Sequence, residues 1–92
     1  MNRKRMTHVK VHAWGEGFNN SVDIFVRRNL VLYNISVSFP GRDEEQDIAF
    51  GVTEHEIFSK IMESLAYAYR NDNVEQINLT FDYEEECDTQ NA

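Results

Sequence analysis

The residues of this chain that could do chemistry are three histidines, one cysteine and five serines, and their spacing argues against a catalytic site. His8 and His12 lie in a stretch that alternates like a strand, where four residues span about 13 Å, too far for one metal ion. His55-Glu56 lacks the second histidine of a zinc-protease helix. Cys87 lies among carboxylates, which favour the unreactive thiol over the thiolate. We therefore expect a non-enzymatic protein with no catalytic residue, metal or cofactor.

The size and composition of the chain set limits on its class. It has 92 residues, which corresponds to one domain. The single cysteine excludes a scaffold of internal disulfides, and we find no apolar run long enough for a membrane helix. Nine Lys and Arg against 16 Asp and Glu give a net charge of −7, which argues against a nucleic-acid binder with a basic overall charge. We expect a cytoplasmic protein with no membrane partner and no small-molecule substrate.

Alternating patterns predict most of the elements. Residues 7–14 alternate strictly, with Val9 and Val11 on one face and the polar residues and Trp14 on the other. Further strands are predicted over 21–27, 30–39, 48–52 and about 75–83. Thr53 and Glu56 fit a capping box at the start of a helix that extends to about residue 70. Its apolar stripe is formed by Ile57, Phe58, Ile61, Met62, Leu65, Ala68 and Tyr69.

The predicted order ββββαβ indicates an α+β fold, a two-layer sandwich in which one amphipathic helix covers one face of a mostly antiparallel sheet. The other face of the sheet is left to solvent or to a partner. We expect residues 1–6 to form a flexible basic arm, residues 7–84 to form the single domain, and residues 85–92 to form an acidic disordered tail.

Charge is unevenly distributed along the chain. Residues 1–42 hold seven bases and two acids, a net charge of +5, whereas residues 43–92 hold two bases and 14 acids, a net charge of −12. Such asymmetry points to an interaction surface. Carboxylates on a small rigid domain can pair with the Lys and Arg that normally hold a phosphate backbone. The alternative is that the acidic runs are a solvated loop and a solubilising tail. The candidate partner-binding residues are Asp43, Glu44, Glu45, Asp47, Glu54, Glu56 and, as an exposed aromatic, Trp14.

The basic half has a separate interpretation. Its positive side chains, with Trp14 or Phe25 available for stacking, could contact the phosphates of RNA or DNA. The alternative is ordinary positive charge near the start of a chain. The candidate nucleic-acid-binding residues are Arg3, Lys4, Arg5, Lys10, Arg27 and Arg28.

This layout resembles the small phage-encoded anti-CRISPR proteins, in particular inhibitors of type I-F surveillance complexes. The features that carry the resemblance are the short length, a single free cysteine, one helix on a small sheet, and dense acids at Asp43-Glu44-Glu45, Asp47 and Glu54/Glu56. The resemblance implies binding to Cas protein subunits of a host ribonucleoprotein in the host cytoplasm, and inhibition of target DNA binding, in some members by DNA mimicry. The basic half departs from a pure DNA mimic, and it leaves open contact with the guide RNA or with an acidic protein surface.

Two other functions remain open from the sequence. One is a small RNA-binding module that uses the exposed basic face of the sheet. The other is an assembly protein that self-associates through an edge strand.

Overall fold

The computed structural model describes residues 2–39 and 44–87. Its elements are β1 (Asn2–Gly15), β2 (Phe18–Asn29), β3 (Leu32–Ser38), β4 (Gln46–Val52), a 3₁₀ turn (Glu54–Glu56), α1 (Ile57–Ala68) and β5 (Gln76–Cys87). The predicted order ββββαβ and the small α+β fold are confirmed. The capping box of Thr53 and Glu56 is also present, and it opens the 3₁₀ turn that leads into α1.

The five strands form one antiparallel sheet in the order β4-β3-β2-β1-β5. The first strand of the chain therefore lies inside the sheet, between β2 and the last strand, and β4 and β5 are the edges. The ladder between β1 and β5 has a register shift between Met6 and His8. The ladder between β3 and β4 is shifted twice.

The core lies between the sheet and α1. Val9 and Val11 of β1 are fully buried, and they pair with Ile24 and Val22 of β2, which are also buried. β3 adds Tyr33, Ile35 and Val37 to the same layer. The alternation in the sequence predicted these inward faces, because successive side chains of a strand point to opposite sides of the sheet.

The helix contacts this layer along a narrower stripe than predicted. Ile57, Ile61 and Leu65 are buried, at a spacing of four residues. Phe58 and Met62, expected in the apolar stripe, are 51% and 39% exposed. A single helix packed on a sheet buries only the line of residues nearest the strands, so flanking positions of the stripe stay in contact with water.

Both ends of the predicted domain differ from expectation. Residues 2–6, expected in a flexible arm, form the start of β1 and pair with β5. Residues 85–87, expected in a disordered tail, form the end of β5. The two segments have little apolar pattern, and their pairing depends on a partner far away in sequence. The remaining parts of the arm and the tail lie outside the described residues.

Candidate functional site

Folding brings the basic start of the chain against its acidic end. Residues 3–5, Arg-Lys-Arg, pair with residues 86–84, all Glu, in the antiparallel ladder between β1 and β5. Opposite charges at directly paired positions of two strands attract each other. Lys4 and Arg5, expected to reach outward in a nucleic-acid-binding arm, thus lie opposite Glu85 and Glu84 of the same chain.

Because of this pairing, positive and negative charges cancel in one part of the fold and negative charge remains in another. Residues 2–39 and 76–87, which hold β1, β2, β3 and β5, contain six bases and six acids, so this part of the chain is neutral. Residues 44–75, which we call the acidic segment, contain two bases and eight acids, a net charge of −6. The basic pole predicted from the sequence is cancelled by strand pairing, whereas the acidic pole persists on the part of the fold that holds β4 and α1.

Glu45, one of the expected partner-binding residues, is engaged within the chain. Arg27 on β2 donates to both of its carboxylate oxygens, at 2.5 and 2.9 Å, and the hydroxyl of Ser36 donates at 2.6 Å. The hydrogen bonds from Arg27 and then Ser36 lower the pKa of Glu45 to about 2. Ser36 itself is only 5% exposed. This carboxylate holds the chain that enters β4 against the open face of the sheet.

Glu56 has a local partner as well. Its Oε1 accepts from the backbone N–H of Thr53 at 3.2 Å and from the Thr53 hydroxyl at 2.9 Å. The backbone hydrogen bond and then the hydroxyl lower the pKa of Glu56. The carboxylate keeps its charge while it caps the start of the helix.

Three other expected partner-binding acids face outward from the acidic segment. Glu44 and Asp47 are exposed beside the β4 edge, and Glu54 is exposed at the 3₁₀ turn. Asp43 lies outside the described residues. Glu44, Asp47 and Glu54 are thus the predicted binding residues that the fold presents along one side of the molecule.

The face of the sheet opposite α1 carries Trp14, the expected aromatic anchor. Trp14 is partly buried, and its ring centroid lies 4.8 Å from that of His12. Farther along the same face, His8 and Phe25 pair across β1 and β2, with ring centroids 5.1 Å apart. The exposed aromatic predicted at residue 14 is therefore packed against a neighbour on this face.

His8 joins three strands on the same face. Its Nδ1 lies 2.6 Å from Asp82 Oδ2 on β5, and its Nε2 lies 2.8 Å from Asp23 Oδ1 on β2. Burial lowers the pKa of His8, but the hydrogen bonds and charges of Asp82 and Asp23 outweigh burial, so the net effect raises it. The sequence predicted the face of His8 but did not identify its two partners.

The remaining expected nucleic-acid-binding residues do not form one patch. Lys10 is exposed on the open face, where it pairs with Asp23. Arg27 on that face is held by Glu45. Arg28 pairs with the buried Tyr33 and so belongs to the helix side, where its Nε donates to the Leu30 carbonyl at 2.9 Å.

The turn between β2 and β3 lies two residues later than the sequence pattern predicted. A turn was expected at Arg28-Asn29, with a strand from Leu30, whereas the loop consists of Leu30 and Val31. Both are strongly exposed, at 84% and 79%. Neither residue type is typical of turns, so no sequence signal placed the loop here.

A groove of about 720 Å³ lies between the C-terminal half of α1 and strands β2, β3 and β4. Its floor includes Val22, Ile24 and Val37, and Tyr69 donates its hydroxyl hydrogen to Asn20 at 2.9 Å inside it. Asp47, Glu63 and Asp72 lie along its rim. The groove thus combines an apolar floor with carboxylates of the acidic segment.

Within residues 2–39 and 44–87, no three His, Cys, Asp or Glu side chains are grouped so that they could hold a metal ion. In the same part of the chain, the one helix is too short to cross a bilayer. Comparison with family models, curated proteins and solved structures finds no match to this chain.

Proposed function

We propose that this chain is a non-enzymatic inhibitor that binds a basic, nucleic-acid-handling protein surface and keeps nucleic acid from it. Of the candidate partners, the resemblance noted above favours a type I-F CRISPR surveillance complex in the host cytoplasm. The observation that carries the proposal is the net charge of −6 on residues 44–75, next to residues 2–39 and 76–87, whose charges cancel.

The physical basis is charge complementarity on a rigid support. Internal ion pairs cannot neutralise this protein, because 16 acids exceed nine bases wherever the bases pair. The surplus of acids is concentrated in residues 44–75, which hold the edge strand β4, the helix α1 and the segments that connect them. Negative charge concentrated on one side steers association with a positive surface and opposes approach to phosphate.

The structure also divides the acids into two groups with different roles in this proposal. Glu45 and Glu56 are bound within the chain, so they support the fold. Glu44 and Asp47 at the β4 edge, together with Glu54 at the 3₁₀ turn, are the exposed acids that we assign to the partner. Contacts of this kind at the rim of an interface act mainly on the association rate and on its dependence on salt.

The test is binding of the purified protein to a purified type I-F surveillance complex, measured by biolayer interferometry at increasing salt, with target DNA as competitor. The triple variant Glu44→Lys/Asp47→Lys/Glu54→Lys should weaken binding by about tenfold or more, which corresponds to about 1.4 kcal/mol. A second triple variant, Glu16→Lys/Asp72→Lys/Glu75→Lys, makes the same change in net charge, with two of its three changes at the end of the acidic segment away from β4. It measures the effect of net charge alone, and it should bind at least about threefold more tightly than the first variant.

Equal losses in both triple variants would show that net charge alone drives binding, and the assignment to these three residues would be wrong. Absence of wild-type binding at low salt, or binding that leaves DNA association unchanged, would overturn the proposed function.

Self-association through an edge strand has less support. Two register shifts distort the ladder that holds β4, and the free edge β5 ends in a run of three glutamates before Cys87. Bulges and like charges on edge strands oppose pairing with a second copy.

A further inference from the structure

The turn between β2 and β3 has an unusual conformation for its sequence. Leu30 and Val31 form a two-residue hairpin loop, and Leu30 has a φ of 61°, the only positive φ of a non-glycine residue in the described part of the chain. A positive φ at the first loop residue alone is the arrangement of a type II′ turn, which normally has glycine there. A leucine in this region is strained because its Cβ crowds the following carbonyl oxygen.

The same turn exposes three apolar residues in a row. Leu30 is 84% exposed and Val31 79%, and Leu32, 36% exposed, follows them directly. Leu32 Cδ1 lies 3.7 Å from the position that a Cβ on Gly51 would occupy, and Phe50, the residue before Gly51, is 67% exposed. We call Leu30, Val31, Leu32 and Phe50 the apolar tip. Neither hairpin stability nor solubility explains it, because both favour polar residues or glycine at these loop positions.

The acidic segment borders this tip. Tyr33, just after Leu32, pairs with Val52, and the chain continues from Val52 into the 3₁₀ turn that carries Glu54. Arg28 Nε donates to the Leu30 carbonyl at 2.9 Å, which fixes the turn from one side. An apolar projection flanked by charged residues, here Arg28 on one side and Glu54 on the other, has the anatomy of an interface with a buried apolar centre and a charged rim.

We infer that the apolar tip is the anchor of the binding surface and that it inserts into an apolar pocket bordered by Lys and Arg side chains on the partner protein. This inference rests on the proposed function, since the acidic segment determines the charge of the pocket's border. A protein pocket fits these features better than a bilayer does, because the net charge of −6 on the acidic segment opposes approach to anionic headgroups.

The experiment replaces the tip with the sequence that its backbone prefers. In the double variant Leu30→Gly/Val31→Asn, glycine fits the positive φ and Gly-Asn is a common type II′ loop. The variant should keep or raise the melting temperature while its affinity for the surveillance complex used above falls by about tenfold or more. The control Ile77→Thr removes a 39% exposed apolar side chain near the opposite end of the sheet, and its affinity should stay within about threefold of wild type.

Three results would overturn the inference, and they separate it from the proposed function. If wild type binds and Leu30→Gly/Val31→Asn binds equally well, the tip is not an anchor. The role of the acidic surface is tested separately, by the triple variant of Glu44, Asp47 and Glu54. If wild type binds phosphatidylserine/phosphatidylcholine vesicles and the double variant does not, the tip is a membrane anchor. If wild type does not bind the complex, both proposals fail together.

Discussion

At the scale of single residues, His8 connects the three neighbouring strands β2, β1 and β5 through its two ring nitrogens. Both partners, Asp23 and Asp82, are carboxylates, so the protonated ring can donate to each of them. The folded state therefore holds the proton of His8 more tightly than the unfolded chain does, in spite of partial burial.

This linkage predicts a pH-dependent contribution to stability. Because the folded pKa of His8 is raised above its ordinary value of 6.5, the contribution is fully present below that value and is lost as pH rises through the folded pKa. His8→Gln should thus destabilise the protein more at pH 5.5 than at pH 9, as measured by urea unfolding at each pH. An equal loss at both pH values would contradict the linkage, and an NMR titration of the His8 ring would show the raised pKa directly.

The sequence predicted the face of His8 and the acidic character of Glu45, but the role of each depends on residues that pair from other strands. Glu45 and Glu56 were both expected to contact a partner, and both are bound internally. Only the capping box of Glu56 had a local signal, three residues away in the sequence. Arg27 and Ser36 come next to Glu45 through strand pairing, which spacing along the chain does not determine.

At the scale of elements, α1 depends on one line of side chains. Ile61 is fully buried, whereas Phe58, in the same predicted stripe, is 51% exposed and its ring centroid lies 6.1 Å from that of Phe81. The apolar face of the sheet covers only the line of Ile57, Ile61 and Leu65, and the side of the stripe that carries Phe58 extends beyond it.

Ile61→Ala should lower the free energy of unfolding by about 2–5 kcal/mol, since it leaves a cavity in a closed core. Phe58→Ala should cost clearly less, because much of that ring is already in water. Chemical denaturation of both variants by urea checks this. Equal losses would mean that the helix is packed along the broader stripe predicted from the sequence.

Alternation and the capping box were sufficient to predict the number, order and inward faces of the elements. Their boundaries were harder to place. β1 and β5 extend to Asn2 and Cys87 because they pair with each other, although these ends have little apolar alternation. The loop at Leu30 and Val31 was missed because its residues favour strands over turns.

At the scale of the whole molecule, the pairing of β1 with β5 determines which part of the fold keeps an uncompensated charge. The sequence predicted two opposite poles, and the fold retains only the acidic one. Strand order is set by packing and pairing across the sheet, and a linear charge count contains no information about it.

This cancellation yields a prediction about RNA. Because residues 2–39 and 76–87 together carry six acids and six bases, the open face of the sheet should not bind single-stranded RNA. A gel shift assay at about 50 mM salt should show no complex at micromolar protein. A complex that weakens steeply with added salt would instead support the RNA-binding alternative.

The strand order also constrains the nascent polypeptide. β1 leaves the ribosome first, yet one of its two hydrogen-bonding edges has no partner until β5 follows, and His8 waits for Asp82 over the same interval. Translation that stops before residue 76 would release a four-stranded intermediate with the edge of β1 uncovered. Such an edge recruits other chains, so premature termination should yield aggregates rather than a smaller working domain.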